Sequence, residues 1–206
     1  MGLISLLISN PIMFIVLAIP LLYSVILHEI AHGLVASWFG DDTARYSRRL
    51  TLNPMEHLDP IGTLMLLFVG FGWAKPVPVN YNNLSNARLG VISVALAGCV
   101  TNVLIAMVSI FLLQFQIVYT NPVLSTILPI LIKINIILAA FNLIPIPPLD
   151  GSKVLMGFLP WEAQAKLARI EPYGFFIIII LLYAGILHPV IDFMQSLLYG
   201  LISVFF

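Results

Sequence analysis

Charge is what this chain has least of. Nine Lys or Arg and nine Asp or Glu leave no net charge. Charged residues make up 9% of the sequence, against about 25% in a typical soluble domain. No Asp, Glu, Lys or Arg precedes Glu29, and the first basic residue is Arg45. An ordinary secretory leader is therefore not expected, because it needs a basic start before its apolar stretch. The N-terminal apolar run also continues straight into the motif described below, which cleavage would discard. No basic tract stands out, so nucleic acid is not an expected partner. The one cysteine, Cys99, excludes an intrachain disulfide and says little about compartment. Internal repeats, linkers and low-complexity tracts are also lacking, so residues 1–206 are expected to form a single domain.

Apolar residues fill the space that charge leaves. They make up 61% of the chain, and the mean hydropathy is +1.07. A soluble domain of this length could not hide so much apolar surface, so lipid is the expected solvent. Segments 11–39, 90–118, 123–147 and 173–187 read as spans, the last one short. Segment 61–73 is too short for the ~20 residues of a crossing helix. It carries Gly62, Gly70 and Gly72 and reads as re-entrant, while 190–206 either spans or lies along the interface. The expected fold is an all-α polytopic membrane protein with four to six transmembrane or re-entrant segments. A small extended or β element associated with the membrane is expected near residues 74–80.

Charge placement orients these segments. If 61–73 dips in and returns, every positive residue except Lys133 falls on one side, and the 119–122 turn opposite has none. By the positive-inside rule that side is cytoplasmic. A full crossing at 61–73 would scatter the basic residues.

Residues 28–32 read His-Glu-Ile-Ala-His inside the first long span. On a helix, His28 and His32 share a face and can bind one metal ion. Glu29 lies beside them, placed to take a proton from water that the metal activates. Composition alone, with four His in the chain, yields such a match about once in 700 chains of this kind. A catalytic zinc site usually has three protein ligands and an open position. Asp150 is the best third ligand, because segment 123–147 brings it to the same side as His28 and His32. Pro145, Pro147 and Pro148 break the helix before it, and Gly151 after it permits a tight turn.

Three runs resemble the site-2 protease family of intramembrane zinc metalloproteases: HEIAHG at 28–33, NLIPIPPLDG at 142–151 and FGWAKPVPVN at 71–80. A weaker fourth, Gly98-Cys99-Val100-Thr101-Asn102, is similar to the family's Gly-x-x-x-Asn helix, with Cys99 where that family usually has Pro. The resemblance covers nearly the whole chain, without the soluble modules that some relatives carry. It implies one Zn2+ per chain held by His28, His32 and Asp150, with Glu29 as catalytic base. It also implies hydrolysis of peptide bonds in or near transmembrane segments of membrane-protein substrates. The expected location is the plasma membrane, and charge placement puts the site toward the cytoplasm. Oligomeric state is not legible.

Other polar residues carry two readings. Pro76 and Pro78 cannot donate along one edge of an extended 74–80 stretch, which leaves the Val77 and Val79 amides to pair with an unwound substrate. The same stretch also reads as a rigid connector, and the resemblance favours substrate binding. Asn142 either donates to a substrate carbonyl near the metal or bonds between helices. For Asn102, packing beside Gly98 is the simpler reading. His57 is an outside candidate ligand. Lys133 within a span calls for a partner or a wet cavity. The alternative function is a zinc-binding or zinc-transport protein, which would string ligands along a path across the membrane rather than cluster them at one depth.

Overall fold

The structure, a computed structural model, describes residues 3–206. In chain order the helices are α1 (Leu3–Ser9), α2 (Pro11–Trp38), α3 (Thr43–Tyr46), α4 (Pro54–His57), α5 (Pro60–Phe68), α6 (Ala87–Leu113), α7 (Gln116–Thr120), α8 (Pro122–Asn142), α9 (Asp150–Phe158), α10 (Trp161–Ile170), α11 (Gly174–Tyr183) and α12 (Leu187–Ser203). Four helix starts share one device. Asn10, Asn53, Asp59 and Asn121 each precede a proline, and each side chain accepts a backbone N–H of the first turn. The side chain satisfies an orphan donor, and proline fixes the first helical φ where no donor is needed.

Three helices, α2, α6 and α8, are long and apolar enough to cross a bilayer. The shortest of them, α8, has 21 residues and measures about 32 Å, against a hydrocarbon core of about 30 Å. α6 is central and packs against α2, α8 and α9, while α12 packs on α8. Small residues line the central contacts: Ala106 of α6 meets Ala139 and Ala140 of α8, and Leu198 and Ile202 of α12 close that core. Small side chains let helices approach where lipid provides no hydrophobic drive for association.

Segment 173–187 differs from its reading as one span. α11 has 10 residues, about 15 Å of helix. The chain then breaks at a turn where Gly185 has φ +75°, and the helices on either side meet at 93°. A run of Phe, Ile and Leu looks equally apolar whether it crosses the bilayer or stops inside it, so apolarity alone does not show the bend.

Segment 61–73 returns on itself. α5 has nine residues, and the chain that follows folds back so that Leu58 forms an antiparallel bridge with Ala74. The Lys75 N–H donates to the His57 carbonyl at 2.8 Å. A loop whose two ends pair with each other leaves on the side it entered, as the re-entrant reading requires. That bridge is also all the β structure found among the described residues. Residues 75–80 form no regular strand, so the small extended or β element expected near 74–80 has its β pairing at Ala74 alone. The stretch is held instead by point contacts: Asp41, buried at the end of α2, accepts the Asn80 N–H at 2.7 Å and the Asn83 amide at 2.9 Å. Burial alone would raise the Asp41 pKa; donors from Thr43, Asn83 and Asn80 lower it.

Candidate metal centre

α2 runs unbroken through residues 28–32, so His28 and His32 share one face. Both are buried. Their Nε2 atoms lie 3.0 Å apart, and the Asp150 Oδ2 atom is 3.0 Å from the first and 3.2 Å from the second. Asp150 is the first residue of α9, seated there by the irregular turn that follows α8. Gly151 has a different purpose from the tight turn expected of it. A Cβ there would collide with the Leu143 carbonyl, so glycine lets α9 start directly against the end of α8.

The outer ring nitrogens fix both tautomers. The His32 Nδ1 faces the Val94 carbonyl at 2.7 Å. A carbonyl only accepts, so Nδ1 carries the proton and Nε2 presents a lone pair. The His28 Nδ1 faces the Asn102 side-chain oxygen at 2.6 Å, with the same result. Two lone pairs and a carboxylate oxygen thus converge with spacings of 3.0–3.2 Å. Tetrahedral zinc with bonds of about 2.0–2.1 Å holds its ligand atoms about 3.3 Å apart, so the donor set fits zinc in both chemistry and size.

Glu29 sits beside this triangle; it and the two histidines offer ligand atoms within 4.8 Å of one another. Its Oε2 accepts the Val77 N–H at 2.8 Å. Glu29 is thereby tethered to the 71–80 segment, while Asp150 alone among the carboxylates closes on both imidazoles.

All of these groups line one cavity of about 350 Å3. Val77, Val79 and Asn142 line it too, so every sequence-predicted site residue except the outside candidate His57 lies in one place. The Val77 amide is not free for a substrate, since Glu29 takes it; the Val79 N–H has no partner among the described residues. One amide hydrogen of Asn142 goes to the Leu138 carbonyl at 3.0 Å. Trp73 and Phe175 stack across the cavity wall with ring centres 4.5 Å apart. At the rim, the Lys153 ammonium lies over the Tyr81 ring and 3.9 Å from Glu171. Burial alone would lower the Lys153 pKa, but Tyr81, Glu171 and Asp150 raise it.

His57 is elsewhere: it is buried, with Nε2 on the Thr51 carbonyl at 2.8 Å. Lys133 is exposed on α8. Two contributors went unread in the sequence. The Val94 contact is made by backbone, which no residue type announces. Gly98 was read as a packing glycine, but a Cβ there would overlap the His28 ring itself.

Fold and site define a class: a helical membrane protein in which two buried histidines and a carboxylate converge on one cavity with a further glutamate beside them. Sequence similarity makes the family plain. The profile of Peptidase family M50 matches residues 116–185. "Putative zinc metalloprotease YwhC" of Bacillus subtilis is 42% identical over 172 residues, covering 80% of this chain and 78% of the relative. "Putative zinc metalloprotease Rip2" of Mycolicibacterium smegmatis is 30% identical over 174 residues, covering 82% and 67%. "Zinc metalloprotease MJ0392" of Methanocaldococcus jannaschii is 30% identical over 153 residues, covering 73% and 36%. No solved structure matches the chain significantly. The chain belongs to Peptidase family M50, the site-2 protease family, and is a multi-pass zinc metalloprotease.

Proposed function

We propose that this metalloprotease is an intramembrane endopeptidase that cuts peptide bonds in or near transmembrane segments of other membrane proteins, working as one domain over residues 1–206. The observation that carries the reading is the position of the chemistry: His28, Glu29 and His32 lie on a helix built to cross the bilayer and face a cavity shared with Asp150. Among the described residues this is the one cluster of three or more candidate metal donors, which favours a single reaction centre over a transport path. The basic residues gathered around the returning 58–74 loop favour a plasma-membrane protein with the site toward the cytoplasm.

His28, His32 and Asp150 are the proposed zinc ligands; bound there, zinc supplies a Lewis acid that acidifies water and polarises the scissile carbonyl. Glu29 is the proposed base. The Val77 N–H holds its Oε2, which leaves Oε1 to take the proton from the attacking water and pass it to the departing amine. Asn142 retains one amide hydrogen to offer the substrate carbonyl, and Val79 offers a free N–H to a substrate held extended. A carbonyl locked in a helix is poorly open to attack, so the substrate has to unwind before it enters.

The test uses purified protein in liposomes with peptides that span the bilayer and matched soluble peptides. Wild type should cleave the spanning peptides, and Glu29→Gln should bind zinc yet cleave nothing. Cleavage of soluble peptides alone, or normal turnover by Glu29→Gln, would contradict the reading.

A further inference from the structure

The His28 contact continues into the bundle as a chain of side chains with a single direction. Asn102, on α6, is wholly buried. Its oxygen faces the His28 Nδ1 at 2.6 Å, and its amide nitrogen donates to the Asn135 oxygen, on α8, at 2.7 Å. Asn135 is also wholly buried. Its own amide nitrogen donates to the Leu131 carbonyl at 2.8 Å and to the Ser24 hydroxyl, on α2, at 2.9 Å.

Each link sets the next. The Leu131 carbonyl accepts and cannot donate, so the Asn135 nitrogen must turn toward it and the Asn135 oxygen toward Asn102. That oxygen in turn demands the Asn102 nitrogen, which leaves the Asn102 oxygen to face His28. His28 must therefore protonate Nδ1 and keep its Nε2 lone pair on the metal side. A flipped Asn102 would present N–H to Nδ1, favour the other tautomer and put a proton on Nε2, where it would block ligation. Ser24 lies one helical turn before His28 on α2, so the chain also ties all three spanning helices at the depth of the site.

We propose that Asn135 is a positioning residue for the zinc site: acting through Asn102, it sets the tautomer of His28 and so the zinc affinity. The inference rests on the zinc site proposed above. Groups that bond a metal ligand directly, as Asn102 does, are worth about 10–100-fold in affinity, and Asn135 acts through that group.

The test measures zinc affinity of the purified full chain by chelator competition, with the absorption spectrum of the cobalt-loaded protein alongside. Asn135→Leu removes the link. Asn135→Ser also removes it, but keeps a hydroxyl that can satisfy itself on the Leu131 carbonyl, so it serves if the leucine variant fails to fold. Both should weaken zinc severalfold, up to the about 10–100-fold that a direct partner of a ligand is worth, and alter the cobalt spectrum. Asn135→Asp, buried and therefore protonated, keeps an acceptor for Asn102 and a donor for Leu131, and should retain most of the affinity. Combined with Asn102→Leu, the Asn135→Ser change should cost nothing further, because the path is already cut. A folded Asn135→Ser protein with wild-type affinity, or additive losses in the double variant, would overturn the inference. Wild type that binds no zinc would overturn the site itself.

Discussion

One methyl group gauges how closely His28 is held. The imidazole lies where a Gly98 Cβ would be, so Gly98→Ala must push the ring, the helix or both. Zinc affinity should fall at least about tenfold, as for other groups that orient a ligand, and chelator competition reads it directly. Val77→Pro separates base from metal. It deletes the N–H that holds Glu29 and leaves the three metal donors alone. Cleavage should drop about 10–100-fold while zinc content stays at wild type; a parallel loss of zinc would show that the segment holds up the metal site instead. The sequence already exposed the donors, because i, i+4 histidines on a helix and an Asp-Gly pair after a proline-broken helix end are local patterns. The tether on Glu29 was not exposed. It depends on which way a backbone amide points across 48 positions of sequence, and the alternating prolines suggested only that some edge of 74–80 stays free to pair. Asn102 was read as packing because asparagine between membrane helices has many uses; its contact with a ligand histidine appears only once α6 is set against α2.

At the scale of elements, starts were legible and interruptions were not. Asn-Pro and Asp-Pro pairs write the helix starts into the sequence, since capping and proline geometry are both local. The break after α11 is written only in Gly185, inside an apolar run that otherwise continues. The re-entrant loop lies between these cases: its short length excluded a full crossing, and the Leu58–Ala74 pairing supplies the return. Single cysteines at the exposed positions 55, 75 and 119, in a Cys99→Ala background, test it in sealed vesicles. Met55→Cys and Lys75→Cys should react with an impermeant thiol reagent from one side, and Tyr119→Cys from the other. Reaction of positions 55 and 75 from opposite sides would mean that the loop crosses.

For the whole molecule, the scarcity of charge and the concentration of chemistry are one fact. A chain dissolved in lipid rarely places an ionisable group within a span, and then mostly where function requires it; Lys133, exposed on α8, has no such role in the site. Here three helices and the start of α9 bring His28, His32, Glu29 and Asp150 to one cavity. The class of fold followed from composition; the packing order, with α6 against α2, α8 and α9, needed three-dimensional structure because apolar helix faces carry little pairing information. The central claim is that two helices far apart in sequence share one zinc ion. Elemental analysis of purified wild type, Glu29→Gln and Asp150→Ala tests it most directly. One zinc per chain in the first two and a clear loss in Asp150→Ala is the predicted result. Full zinc in Asp150→Ala, or none in wild type, would contradict it.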